Sequence, residues 1–389
     1  MNTVVASILE SLQPRGWLRF DQFMALALYC PGSGYYEQKP DNPGRRGDYY
    51  TSVSVGPLFA ELLAFQLADW LQPLAARTGP DTTLHCVEAA GHDGRLAREI
   101  LEWFHQNRPL LARRLRYILL EPSARRRDWQ RATLGPWAAC VDWPGEPAEL
   151  TDPTAPVWFP LPPRSVRGVI FANELLDAFP IRRLCWNARA RHWSEWGVTW
   201  QNGRFTWTLL PDPPEWVRER ADLLEQLGFK LPTALLDLLP DRFTLDVSPA
   251  AMGWWQQAAQ SLEEGWLVTF DYGLDAEECL HPARSRGTLR SYHRHRLAPD
   301  PLDRPGQQDL TAHVVFTALQ QAGEAASLQT VLRQPQGRFL SEIARRWAEQ
   351  SGGQLPWDPA RLRQFHTLTH PDHLGHALHV FLQRRGPGA

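Results

Sequence analysis

Apolar and polar positions along this chain follow two periods. Near the N-terminus the spacing predicts helix from Ile8 to Leu28, broken at Pro14–Gly16. A further helix is expected from about Pro57, with Leu58, Leu62 and Phe65 on one face. The pattern then shortens. Thr83–Ala89 (TLHCVEA) predicts a buried strand and Gly91–Gly94 a turn. Leu96, Ile100, Trp103 and Phe104 follow at i, i+4, i+7 and i+8, the stripe of a helix packed on a sheet. Tyr117–Leu120 (YILL), Cys140–Trp143, Val166–Ala172 (VRGVIFA) and Trp266–Phe270 (WLVTF) predict further strands. Strands alternating with helices imply a parallel sheet in an α/β domain.

The pattern lapses twice. Pro31–Ser52 is rich in Gly, Pro and aromatics, has no period, and is too long for an ordinary connection. It reads as a binding loop or lid. From about Trp186 to Asp241 the chain suggests one or two hairpins and a helical run, hence an insertion. Helix returns at Pro249–Leu262. A loop is expected around Arg284–Arg304, a helix from about His313 with Asp309 and Thr311 as its caps, and a strand near Leu328–Leu332. The tail from about Ser351 reads as helix with loops.

Composition narrows the function. The 389 residues carry 41 basic and 43 acidic side chains, a net charge of −2, which argues against a general nucleic-acid binder. Lysine occurs only at Lys39 and Lys230, neither in a Schiff-base or P-loop setting. The arginine excess reads as codon bias in a GC-rich genome. Five widely spaced cysteines without a CxxC fit a reducing compartment and give no sign of structural zinc. The first residues form an amphipathic pattern and not a signal peptide, and no apolar run approaches the ~20 residues of a membrane span. A bacterial, cytoplasmic protein is expected.

Candidate chemistry lies at strand ends. VEAAGHDG places Glu88 at the end of a strand, followed by a turn holding Gly91 and Gly94. A pyrophosphate would need more glycine there; a cationic, phosphate-free nucleoside such as S-adenosylmethionine suits an acid better. Glu121 ends the next strand, where a carboxylate can accept from both ribose hydroxyls. Asp142 is a candidate neighbour of the adenine. FANELLDAFP puts Asn173, Glu174 and Asp177 just past the fourth strand, where they either handle a cationic acceptor or cap a helix. His293, His295 and His313 lack the spacing of a metal triad, so no metal is expected.

These segments together resemble the MidA-like family of S-adenosylmethionine-dependent methyltransferases, relatives of the mitochondrial arginine methyltransferase of complex I assembly. The resemblance rests on ALYCPGSGYY, GDYYTS, VEAAGHDG, LLEPS, NELLDAFP, DYG, GTLRSYHRHR and DLTAHV in this order, from about Phe20 to Leu340. It implies a class I methyltransferase fold, Rossmann-like, with a seven-stranded mostly parallel sheet. It also implies that the loop with Asp48, Thr51 and Ser52 closes over the cofactor. Glu88, Gly91 and Gly94 would lie at the methionine end, and Glu121 at the ribose. Ala90 and His92 stand where the family usually has glycine.

The resulting expectation is five segments: a closing N-terminal segment (1–75), the methyltransferase domain in two parts (76–185 and 242–345), an inserted lobe (186–241) and a tail (346–389). Glu174, Asp177 and Asn173 would serve catalysis, with a protein substrate, arginine by family analogy. A non-catalytic assembly or binding factor, using the Trp-rich insertion as a partner surface, is the alternative. An NAD-dependent oxidoreductase fits least, because the turn lacks its glycines.

Overall fold

The computed structural model describes residues 3–38, 51–145, 159–294, 296–353, 355 and 357–386. Its central sheet holds seven strands: β1 (Leu84–Ala89), β2 (Leu115–Leu120), β3 (Val141–Asp142), β4 (Val166–Asn173), β5 (Leu262–Asp271), β6 (Gln329–Pro335) and β7 (His379–Arg385). Their order is β6-β7-β5-β4-β1-β2-β3. Strands β1 to β5 run parallel, and β7 is antiparallel to both β5 and β6. Strand order reverses between β1 and β4, and ligands of such sheets bind at that crevice, beyond the carboxyl ends of the strands.

Both faces of the sheet are apolar, which is why its strands read as near-continuous apolar runs. Cys86, Tyr117, Leu119, Val169, Phe171, Val268 and Phe270 face helices Leu58–Arg77, Arg95–Asn107 and Gln336–Gln350. Val87, Ile118, Ile170, Ala172 and Leu267 face helices Pro249–Ser261 and Phe316–Ala325. Odd and even positions thus feed different layers, as the twofold period of a strand demands.

Arg182–Asn187, His192–Gln201, Arg204–Leu209 and Thr244–Val247 make a second, antiparallel sheet. Leu18–Arg19 joins it by pairing with Gly197 and Val198. Helix Phe20–Tyr29 packs there too, with Phe20 on Trp207 at 4.9 Å and Phe23 on Phe205 at 5.5 Å between ring centroids. Trp186 and Trp193 are buried and serve as packing, whereas Trp200 of the same lobe is exposed.

Three expectations change. The chain beyond about Ser351 is not only helix and loops: after the helix Pro359–Thr369 it supplies β7, which lies between β5 and β6 of the central sheet. Its polar inward residues, Gln383 and Arg385, hid the strand pattern. Asp309 and Thr311 cap no helix: Asp309–Thr311 is a strand paired with Arg290–Tyr292, and the helix begins at Phe316. Asn173 and Glu174 open no capped helix either. Glu174 turns left-handed (φ 49°), and only a 3₁₀ turn, Leu176–Ala178, follows.

Candidate functional site

β1 delivers Glu88 to the crevice and the chain turns sharply behind it. Ala90 (φ 54°), His92 (φ 41°) and Gly94 (φ 85°) are all left-handed, a conformation that costs an L-residue energy and that glycine adopts freely. The backbone closes on itself through Ala90 N–H to Leu120 O (2.9 Å), His92 N–H to Ala90 O (2.7 Å) and Gly94 N–H to Gly91 O (2.7 Å). A Cβ on Gly91 would stand 2.8 Å from Glu88 Oε1 and 2.8 Å from Leu119 Cδ2. The glycine therefore lets the turn lie against the Glu88 carboxyl. Tyr117 hydroxyl donates to Glu88 Oε2 at 2.5 Å. Burial pushes the Glu88 pKa up to about 8.

Glu121, fully buried after β2, is held by several partners. Its Oε1 accepts from Ser123 N–H (3.0 Å) and lies 3.2 Å from Arg126 Nε. Its Oε2 accepts from Gln130 Nε2 (3.3 Å), which also donates to His92 O (3.2 Å). Gln130 thus ties the turn after β1 to the acid after β2. Ser123 hydroxyl in turn donates to Glu37 Oε2 at 3.0 Å, linking this corner to the N-terminal segment.

The third group sits after β4 and β5. Glu174 is half-buried and its Oε1 accepts from Ser52 N–H (2.8 Å) and Asn173 Nδ2 (3.2 Å). Asn173 Oδ1 is buried and meets no hydrogen-bond partner among the described residues. Asp271 accepts through Oδ2 from Leu176 N–H (2.8 Å) and through Oδ1 from Tyr272 N–H (2.9 Å). Burial pushes Glu174 up to about 8 and Asp271 up to about 7. Asp177 is raised well above the carboxylate range by burial and then by Asp271, Asp309 and Glu174. Among the described residues, no arginine or histidine forms an ion pair with Glu174, Asp177 or Asp271. Desolvation and the crowding of like charges disfavour ionisation of all three acids.

Other sequence candidates lie elsewhere. Asp142 points back along the sheet to Arg116, in an ion pair with about half of each side chain exposed, and does not join the crevice acids. Thr51 caps the short helix Ser52–Val55 by accepting from Ser54 N–H at 3.1 Å. Ser52 is fully buried and turns its amide to Glu174. Asp48 and His295 lie outside the described residues. Burial lowers the His313 pKa to about 4, which keeps that ring neutral, and no cluster fit to hold a metal occurs among the described residues.

Sequence reasoning missed Asp271, Asp309, Tyr36 and Arg126. Tyr36 hydroxyl donates to Asp309 Oδ1 at 2.7 Å, and Arg126 lies 6.0 Å from the centre of the Tyr36 ring. Asp271 carried the same signal as Glu88 and Glu121, an acid closing an apolar strand. Tyr36 and Arg126 join the site through the fold alone.

Comparison with known proteins adds the following. A family model described as S-adenosyl-L-methionine-dependent methyltransferase matches residues 62–333. The protein arginine methyltransferase NDUFAF7 of Xenopus tropicalis is 27% identical over 338 residues, 84% of this chain and 72% of that protein. The Rattus norvegicus counterpart is 24% identical, over 96% of this chain and 82% of its own length. A crystal structure from Burkholderia thailandensis with bound S-adenosyl-homocysteine superposes with a TM-score of 0.78 at 28% identity, covering 100% of this chain and 93% of that one.

Proposed function

Because the chain belongs to the family of S-adenosyl-L-methionine-dependent methyltransferases, we propose that its carboxyl-edge acids hold a cationic acceptor, a protein arginine, for methyl transfer. The relatives named for protein arginine methylation support this acceptor. The observation that carries the reading is the acid cluster Glu174–Asp177–Asp271, which faces no cation of its own among the described residues. Strand order 3-2-1-4-5-7-6, with the seventh strand antiparallel, supports a class I assignment.

The residues present fit S-adenosylmethionine. Gly91 keeps a side chain off Glu88, and the orphaned Asn173 Oδ1 is an acceptor suited to an ammonium group. The bound cofactor supplies an electrophilic methyl group on a sulfonium. Glu88, with Gly91 and Gly94 behind it, holds the methionine end. Glu121 takes the ribose hydroxyls, for which Ser123, Arg126 and Gln130 orient its carboxylate. Glu174 and Asp177 would orient and desolvate the guanidinium for transfer of the methyl group. Asn173 positions one of the two cations.

The N-terminal segment closes the site, and the lobe seated on it offers a surface to a protein substrate. No helix among the described residues is long and apolar enough to cross a membrane. Five free cysteines are compatible with a reducing setting.

Glu174→Gln tests the assignment. Methyl transfer to arginine-containing peptides should fall about a hundredfold or more, while S-adenosylhomocysteine affinity by calorimetry stays within a few-fold. Unchanged turnover would remove Glu174 from the site. In the wild-type enzyme kcat/KM should rise as pH increases through about 8, where Glu174 ionises. The Glu174→Gln profile should lack that limb.

A further inference from the structure

The acid after β4 is tied to the C-terminal part of the chain, which lies beyond the matched residues 62–333. Glu174 Oε1 accepts from Ser52 N–H at 2.8 Å. Ser52 hydroxyl lies 3.0 Å from Gln336 Oε1, and Gln336 Nε2 lies 3.2 Å from Leu368 O. A carbonyl can only accept, so the Leu368 contact fixes the Gln336 amide with its NH₂ toward Leu368 and its oxygen toward Ser52. The Ser52 hydroxyl must then donate to Gln336. Ser52, Gln336 and Leu368 are all 0% exposed. Nearby, Gln364 of the same C-terminal helix, Pro359–Thr369, accepts from Leu58 N–H at 3.1 Å. The segment carrying Ser52 is therefore pinned from the C-terminal side at two points.

We propose that Gln336 is a positioning residue: through the Ser52 hydroxyl it holds the Ser52 amide on Glu174 and keeps that carboxylate aimed at the acceptor. The inference rests on the reading of Glu174 given above. Among the described residues, Asp271, Asp177 and Tyr272 are the titratable groups that interact with Glu174, and none of them brings a positive charge. Two donors, Ser52 N–H and Asn173 Nδ2, offset that crowding. Loss of one of them disfavours the ionised form and raises the pH at which the site becomes competent.

Proline offers a narrow test. Ser52 opens the helix Ser52–Val55, a first-turn position that tolerates proline, and Thr51 before it is extended (φ −115°, ψ 162°), as a residue preceding proline must be. Ser52→Pro deletes the amide donor together with the hydroxyl that meets Gln336, whereas Gln336→Leu deletes the tether and its bond to Leu368 O and leaves the Ser52 amide in place. The measurements are the pH profile of kcat/KM, S-adenosylhomocysteine affinity and the melting temperature.

For Ser52→Pro the rising limb should move up by about one pH unit, with about tenfold lower kcat/KM at pH 7 and a deficit of only about twofold left at pH 9. For Gln336→Leu, cofactor affinity should stay within a few-fold. Gln336→Leu should shift the limb the same way, by less. An unshifted midpoint in Ser52→Pro, or a loss equal at every pH, overturns the proposal. If Ser52→Pro does not fold, Gln336→Leu decides by the same criteria. If Glu174→Gln is inactive while both variants keep the wild-type midpoint, this inference alone fails. If Glu174→Gln turns over normally, the reading of Glu174 falls and takes this inference with it.

Discussion

Glu88 is 3% exposed and accepts one neutral hydrogen bond, from Tyr117. Burial lifts its pKa from 4.5 to about 8, so the folded chain holds this proton more tightly than the unfolded chain does. Its contribution to stability is complete below the unfolded pKa and is lost as pH rises through about 8. Glu88→Gln has no proton to lose, and its amide oxygen can still accept from Tyr117. The variant should match the wild type near pH 4 and exceed it at pH 9 by on the order of a few kcal/mol. Urea titrations at the two pH values check this; a difference independent of pH would refute it. The placement of Glu88, Glu121 and Glu174 was readable because each follows an apolar strand. Asp142 follows one too, yet its side chain is drawn to Arg116, a choice made by cross-strand geometry. Asp271 was readable on the same ground and was overlooked. Tyr36 and Asp309 lie 273 residues apart in sequence, and no local pattern joins them.

At the scale of elements, strands buried on both faces gave unbroken apolar runs, and β1, β2, β4 and β5 stand where those runs predicted them. β6 overlaps the strand expected near Leu328–Leu332, although its Gln329, Thr330 and Val331 are exposed. β7 was hidden, because it buries Gln383 and Arg385. The turn after β1 is the element where sequence and conformation conflict. Ala90 occupies a left-handed position without a side chain that could compensate. Ala90→Gly should raise stability by about 0.5–1 kcal/mol, the relief of left-handed strain less the entropy that glycine brings to the unfolded chain. Gly91→Ala should act oppositely. Its Cβ would meet Glu88 Oε1 and Leu119 Cδ2 at 2.8 Å, and overpacking of that kind costs about 1–3 kcal/mol. Denaturation midpoints of the two variants should bracket the wild type. A stabilising Gly91→Ala would mean that the turn relaxes away from Glu88.

At the scale of the molecule, segments distant in sequence build one sheet and one site. The N-terminal Leu18–Arg19 completes the lobe sheet, and β7, near the other end, lies between β5 and β6. Removing β7 would strip β5 of seven paired positions, from Gly265 to Asp271, and leave β6 without a neighbour. It would also remove Gln383. That side chain accepts from Trp255 Nε1 (2.8 Å) and donates to Gln320 O (3.1 Å) and Thr330 Oγ1 (3.1 Å). Trp255 is fully buried, so its indole N–H would lose its partner inside the core. Gln383→Leu isolates that part of the loss and should cost about 1–3 kcal/mol, with methyl transfer retained below the lowered melting point. A chain ending at Gly375 loses the pairing as well as the network, and it bares the Val380, Phe381 and Leu382 sites of both core layers. It should show no cooperative thermal transition and no S-adenosylhomocysteine binding, although it still contains all of residues 62–333. A soluble, cofactor-binding chain ending at Gly375 would show that five parallel strands suffice and that β7 is an addition to a sheet already stable.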